Sequence, residues 1–184
     1  MIKRCKWAKE EPNISYHDNE WGRPEHDDQK LFEFLILEGA QAGLSWITIL
    51  KRRSGYLKAF SGFDAKKVSK YSPKKIENLL KDESIIRNRL KINSAVNNAR
   101  QFLKVQKEFG TFDKYLWSFV DYKPIKNKFK KLSDIPASTL NSEELSIDLK
   151  NRGFNFVGPT ICYALMQAVG MVNDHTSDCY RYAK

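Results

Sequence analysis

The sequence predicts a fold that is nearly all α-helix, on three observations. Apolar residues recur at helical spacing in one stretch after another. Those stretches are bracketed by capping residues and by glycine or proline stops. No alternating strand pattern of useful length occurs, and no internal repeat or low-complexity tract is present.

The first helix is predicted in DDQKLFEFLILEGAQAG (27–43), which opens on acidic capping residues and sets Leu31, Phe34, Leu35 and Glu38 on one face, with Gly39 or Gly43 as the stop. LSWITILKRR (44–53) begins another, with Ser45 as N-cap. DAKKVSKY (64–71) and SPKKIENLLKD (72–82) read as two short capped helices, the second with Pro73 in the favoured first turn. The longest helix is expected in 84–110, with a stripe of Ile86, Leu90, Ala95, Ala99, Phe102 and Leu103 and a stop at Gly110. Residues 121–141 carry two prolines and scattered lysines without periodicity, and read as a loop. A helix capped by Asn141 or Ser142 follows, and then PTICYALMQAVG (159–170), started by Pro159 and stopped by Gly170.

At 184 residues, 41% hydrophobic and 29% charged, the chain is expected to form one globular domain, 1–184. No stretch approaches the roughly 18 apolar residues of a membrane helix, and the first residues lack a signal-peptide apolar core. A soluble, cytoplasmic monomer with no membrane partner is the expectation. The net charge of +10 is concentrated: residues 64–131 hold 18 Lys/Arg against 7 Asp/Glu, and the rest of the chain holds 14 against 15. Such a basic belt suits a phosphate backbone, although solvated lysine-rich helix faces look the same.

Three cysteines argue against a disulfide framework and leave metal binding as the better use for two of them. In NDHTSDC (173–179) a helical turn would bring His175 and Cys179 to one face, half of the four ligands a structural zinc wants. Near the other end KRCKWAKEEPNISYHDNEWG offers Cys5 and His17, with eleven residues between them. Cys162, in an apolar run, reads as a small buried hydrophobe, and His26 as a surface residue.

Three of the four tryptophans, Trp7, Trp21 and Trp46, fall in the first 46 residues together with Tyr16. Flat faces at several angles suit a flat guest, and a cationic guest is drawn further by the ring quadrupoles. Glu38 lies on the apolar side of its helix, where a carboxylate could accept hydrogen bonds from an amine of a bound base. Rings that fill the core and a Glu38 that pairs locally would fit equally. In NRGFNFVGPT (151–160) glycines flank an apolar hairpin, and Gly158-Pro159 opens a helix whose free amides could hold a phosphate; this has the shape of a helix-hairpin-helix over about 142–170, or of an ordinary helix–helix turn.

YHDNEWG, LEGAQAGLSWITIL, IIRNRLKI, WSFV, RGFNFVGPTICYALMQAVGMVNDH and the terminal H-x-x-x-C together closely resemble the 3-methyladenine DNA glycosylase I family, from Cys5 to Cys179. The resemblance implies a helix-hairpin-helix glycosylase-like fold whose chain ends are tied by one structural Zn2+ on Cys5, His17, His175 and Cys179. It implies that 3-methyladenine is flipped out of alkylated double-stranded DNA and released as the free base. Glu38 would accept hydrogen bonds from the base, Tyr16 and Trp46 would stack or close on it, and Trp7 and Trp21 would complete the walls. Gly43 and Leu44 are the implied wedge, and the backbone of Gly153, Val157, Gly158 and Thr160 the phosphate anchor. Helix-hairpin-helix relatives place an aspartate beyond the second helix; Asp174 is the nearest candidate, and the family is thought to lack that function. Thr160 and Ile161, rather than a lysine, stand just after the hairpin, which points to hydrolysis without a Schiff base or strand cleavage. Two other readings remain open on the sequence: a zinc-stapled DNA-binding module without catalysis, and a related glycosylase with a different lesion preference.

Overall fold

In a computed structural model, residues 2–182 are described. Ten α-helices run in the order α1 Asn13–Asn19, α2 Asp28–Gln41, α3 Trp46–Leu50, α4 Arg53–Ala59, α5 Ala65–Val68, α6 Pro73–Leu79, α7 Arg89–Phe109, α8 Phe112–Trp117, α9 Leu140–Asn151 and α10 Pro159–Ala168. Two strands of two residues, β1 Ile125–Lys126 and β2 Val172–Asn173, pair in parallel, with Ile125 opposite Val172. No helix among the described residues is long and apolar enough to cross a membrane.

The organising element is α2. Every residue from Leu31 to Ala40 is buried, which a helix achieves only when neighbours cover all its sides; here they are α3, α7, α8 and α10. The Asp27 side chain caps it by accepting from the Lys30 N–H. Asp28, one residue on, accepts from the backbone N–H groups of Phe112 and Asp113 at 2.9 and 2.8 Å, so the start of α2 also caps the start of α8. Gly39 does not stop the helix but lies inside it, where an added Cβ would meet the Phe156 Cβ at 3.4 Å.

The capping residues Ser72, Asp64 and Ser45 and the first-turn Pro73 stand where the sequence predicts them. Others differ. The inner stripe of α7 is Ile92, Ala95, Val96, Ala99, Phe102 and Val105, whereas Leu90 is 70% exposed and Ile86 precedes the Asn88 cap. The α9 cap is Thr139, which exchanges hydrogen bonds with Ser142, so this helix starts two residues before the expected boundary at 142. The C-terminal segment forms no helical turn at His175–Cys179; a turn closed by the Cys179 N–H on the Thr176 carbonyl, 2.7 Å, brings the two side chains round.

The N-terminal segment docks on the end of α10: Gly22 N–H donates to the Gln167 carbonyl and Glu25 N–H to that of Val169, both at 3.0 Å. Gly170 makes this approach possible. Its φ is +71°, and a Cβ there would lie 2.1 Å from the Arg23 carbonyl carbon.

Candidate nucleobase site and metal-ligand cluster

Tyr16 and Trp21 from α1 and its end, Glu38 and Gln41 from α2, Trp46 from α3 and Trp7 from the N-terminal segment converge on a cavity of about 450 Å³. Thr160, Tyr163, Ala164 and Gln167 of α10 form the facing wall, and Leu132, Ile135, Pro136 and Ala137 the rim. The rings meet at angles rather than filling the space: Trp7 lies 5.1 Å from Trp21 at 81°, and Tyr16 lies 5.3 Å from Trp46 at 53°. All five residues expected at a base site are therefore brought together.

Glu38 is 4% exposed, and its Oε2 has no hydrogen-bond partner. Burial alone pushes its carboxyl up to about 8, because no cation or donor offsets the lost hydration. Two further unpartnered buried polar atoms, Asn13 Oδ1 and Trp46 Nε1, belong to residues lining the same cavity. Buried polar atoms are nearly always satisfied; three exceptions line this one cavity. Burial also holds the Tyr16 phenol well above its ordinary range, with Glu38 adding to the effect.

Asp174 is fully buried and accepts from the Tyr163 hydroxyl at 2.5 Å, Asn127 Nδ2 at 2.7 Å and Gln167 Nε2 at 2.8 Å. Its oxygens are engaged in orienting two residues of the α10 wall. None of the α10 residues at 160, 163, 164 and 167 was expected at the base site, Thr160 being expected as a phosphate contact instead; their i, i+3, i+4, i+7 spacing is the signal that could have revealed this wall.

Cys5, His17, His175 and Cys179 are all buried, and their ligand atoms lie within 4.8 Å of one another. Cys179 Sγ is 3.3 Å from His17 Nε2 and 3.6 Å from His175 Nδ1, and Cys5 Sγ is 3.5 Å from His175 Nδ1. The other imidazole nitrogens are held from outside: His17 Nδ1 by Asp18 at 2.8 Å, His175 Nε2 by the Trp21 carbonyl at 3.1 Å. Arg4 forks onto Asp18 and keeps that carboxyl far below its usual range. This is the outer support that metal-ligating histidines require, and it was not foreseen, although Asp18 directly follows His17. Burial pushes the Cys5 thiol up to about 12 and the His175 imidazole down to about 4. A divalent cation favours the thiolate and uses the neutral imidazole, so the donor set fits a metal ion.

Gly43 (φ +76°) and Leu44, 40% exposed, lie in the loop between Gln41 and Ser45, both of which line the cavity. Between α9 and α10, Gly153 takes φ +85°, and nothing lies within 4 Å of the Cβ position at Gly158, the N-cap of α10. The Val157 side chain is in the core and its carbonyl accepts from Ser146 Oγ. Cys162 is buried as expected. His26 is on the surface, paired with Asp113 at 2.7 Å and set against Trp117.

The fold is helical and surrounds a ring-lined cavity that holds an unsatisfied acid. Residues 7–182 match the methyladenine glycosylase family. The chain is 49% identical to DNA-3-methyladenine glycosylase 1 of Escherichia coli K12, over 98% of this chain and 97% of that one. A crystal structure of a 3-methyladenine DNA glycosylase I superposes with a TM-score of 0.94 at 47% identity, covering 97% and 98% of the two chains. A structure of the Staphylococcus aureus 3-methyladenine DNA glycosylase I, solved for its recognition of 3-methyladenine, gives 0.95 at 36% identity, covering 100% and 98%. The chain belongs to the methyladenine glycosylase family.

Proposed function

We propose that this chain hydrolyses the N-glycosidic bond of 3-methyladenine in alkylated double-stranded DNA, releasing the free base and leaving an abasic site in an uncut strand. The reading rests on family membership and on one observation: an unpartnered, buried Glu38 carboxyl oxygen in a cavity walled by Trp7, Tyr16, Trp21 and Trp46.

Methylation at N3 makes adenine cationic while it is attached to sugar, so it leaves neutral when the bond breaks. The electron pair of that bond goes to the base, water adds to the sugar cation, and the proton from water passes to solvent. The leaving group is already activated, so the protein need only extrude, orient and desolvate the nucleotide. Inside the cavity Glu38 accepts hydrogen bonds from the base. A cationic guest supplies the charge whose lack holds this carboxyl at about 8, so binding restores the carboxylate. Tyr16 and Trp46 stack on the ring, and Trp7 and Trp21 close its edges. Leu44 with Gly43 fills the gap in the base stack. The open backbone from Gly153 to Thr160 anchors a phosphate as a helix-hairpin-helix. With Asp174 fully buried and engaged by three donors, stabilising the sugar cation falls to other groups.

The buried Cys2His2 set suits one structural Zn2+, held by Cys5, His17, His175 and Cys179. When bound, such an ion supplies a cross-link between the chain ends and no open position for water. Trp7 and Tyr16 lie close to Cys5 and His17 in sequence, so the cross-link also steadies the cavity wall.

The test is incubation with methylated duplex DNA, followed by chromatography of released bases and denaturing electrophoresis of the strand. Free 3-methyladenine with a strand cut only after hot alkali supports the reading. Immediate scission, or no base released, overturns it.

A further inference from the structure

One face of α7 braces both loops that the proposed function turns toward DNA. Lys91 Nζ donates to the Ala40 carbonyl at 2.8 Å and to the Ala42 carbonyl at 2.6 Å. These are carbonyls at the end of α2, which the helix leaves unsatisfied. A cation is favoured at that end, and here it fixes the turn from which Gly43 and Leu44 project. Two helical turns further along, Asn98 is 2% exposed and exchanges a pair of hydrogen bonds with the backbone of Asn155, 2.9 Å from its Nδ2 to the carbonyl and 2.8 Å from the N–H to its Oδ1. Its neighbour Asn97 donates to the Gly153 carbonyl at 2.7 Å. The next residue of this hairpin, Phe156, has φ +54°, a conformation that a bulky side chain keeps only when its surroundings impose it.

Positions 91 and 98 are seven apart and so share a helix face, about 10 Å apart along the axis. The third side is closed by Gly39 in α2, packed on Phe156. Lys91 lies in the basic belt, yet its ammonium is committed inward to two carbonyls and is not a spare phosphate contact.

We propose that Lys91 and Asn98 are positioning residues: through one rigid helix they hold the Gly43–Leu44 loop and the Gly153–Gly158 hairpin at the separation needed to wedge and grip a duplex together. This rests on the proposed function for the meaning of the two loops, but not for the bracing itself. A freely swinging loop would have to be ordered at each encounter, and a small misplacement at such a site costs up to about a hundredfold in rate.

The experiment compares K91M, K91R and N98A with the wild type in three readouts: tryptophan quenching by free 3-methyladenine, excision from methylated duplex, and the fluorescence of 2-aminopurine beside a tetrahydrofuran abasic analogue in duplex. The expected result for K91M and N98A is free-base affinity within about twofold of wild type, kcat/KM on duplex lowered about tenfold or more, and a smaller 2-aminopurine increase. K91R, which keeps donors at this position, should recover most of the loss. K91M with wild-type excision and wild-type 2-aminopurine response overturns the proposal. Parallel loss of free-base binding also overturns it, since the residue then supports the cavity or the whole fold. Were the wild type to release no base, the proposed function would fail, while the 2-aminopurine comparison would still decide the bracing role.

Discussion

Replacing Glu38 by Gln should stabilise the protein and disable it together. The substitution keeps the shape of the side chain and removes its ability to ionise. In the fold the carboxyl titrates near 8, against an ordinary value of 4.5. A folded-state value above the unfolded one means that stability is full below about pH 4.5 and is lost as pH rises toward 8, because the unfolded chain ionises freely while the folded one resists. The loss runs at about 1.4 kcal/mol per pH unit, or about 3 kcal/mol by pH 7 and under about 1 kcal/mol at pH 5. A neutral amide at this position escapes the penalty. For a chain of this size E38Q should therefore melt about 6–12 °C above wild type at pH 7, with most of the difference gone at pH 5. Excision should fall together with this gain, since the group that accepts from the base no longer carries charge. Thermal denaturation at the two pH values, paired with base release from methylated DNA, checks both halves. A melting difference that does not change with pH, or a variant that excises at the wild-type rate, would refute the reasoning.

Other expectations follow from the same geometry. Excision kcat/KM should rise with pH toward a plateau above about 8 as Glu38 ionises in the free protein, and E38Q should flatten that limb; a wild-type profile falling over this range would contradict the assignment. W46A removes a stacking face worth about 1–3 kcal/mol per base, so free 3-methyladenine should bind correspondingly more weakly in a fluorescence titration. With the proposed Zn2+ on Cys5, His17, His175 and Cys179, chelation or the substitution C179S should lower stability by about 2–4 kcal/mol, in the range for losing a cross-link between distant parts of a chain, as followed by circular dichroism. G170A forces a Cβ to within 2.1 Å of the Arg23 carbonyl carbon at a φ of +71° and should cost at least about 1–3 kcal/mol, detectable as a lowered denaturation midpoint.

Local chemistry made part of this molecule legible in its sequence. Asp64, Ser72 and Pro73 announce helix starts because capping depends on residues within one turn. Cys5, His17, His175 and Cys179 stood out because few residue types bind metals, and the structure gathers all four. What stayed hidden depends on partners distant in sequence. Thr139 rather than Asn141 or Ser142 caps α9, since several adjacent residues are good caps and only the packing of the helix selects one. The pairing of β1 with β2 spans only two residues each, too short for any alternation to show. Leu90 fits a helical stripe but faces outward because the stripe turns with Ile92 and Val96. The spacing of Thr160, Tyr163, Ala164 and Gln167 marks one face of α10, but that this face meets the cavity depends on Asp174, which holds Tyr163 and Gln167 and whose partners the sequence does not show.

The central claim is that the ring-lined space beside Glu38 receives the methylated base. A crystal of this protein grown with 3-methyladenine tests it most directly. The account predicts the purine in the cavity, against Tyr16 and Trp46, with a nitrogen about 3 Å from the Glu38 carboxylate; a purine bound elsewhere, or a Glu38 that turns away from it to pair with protein groups, would contradict it.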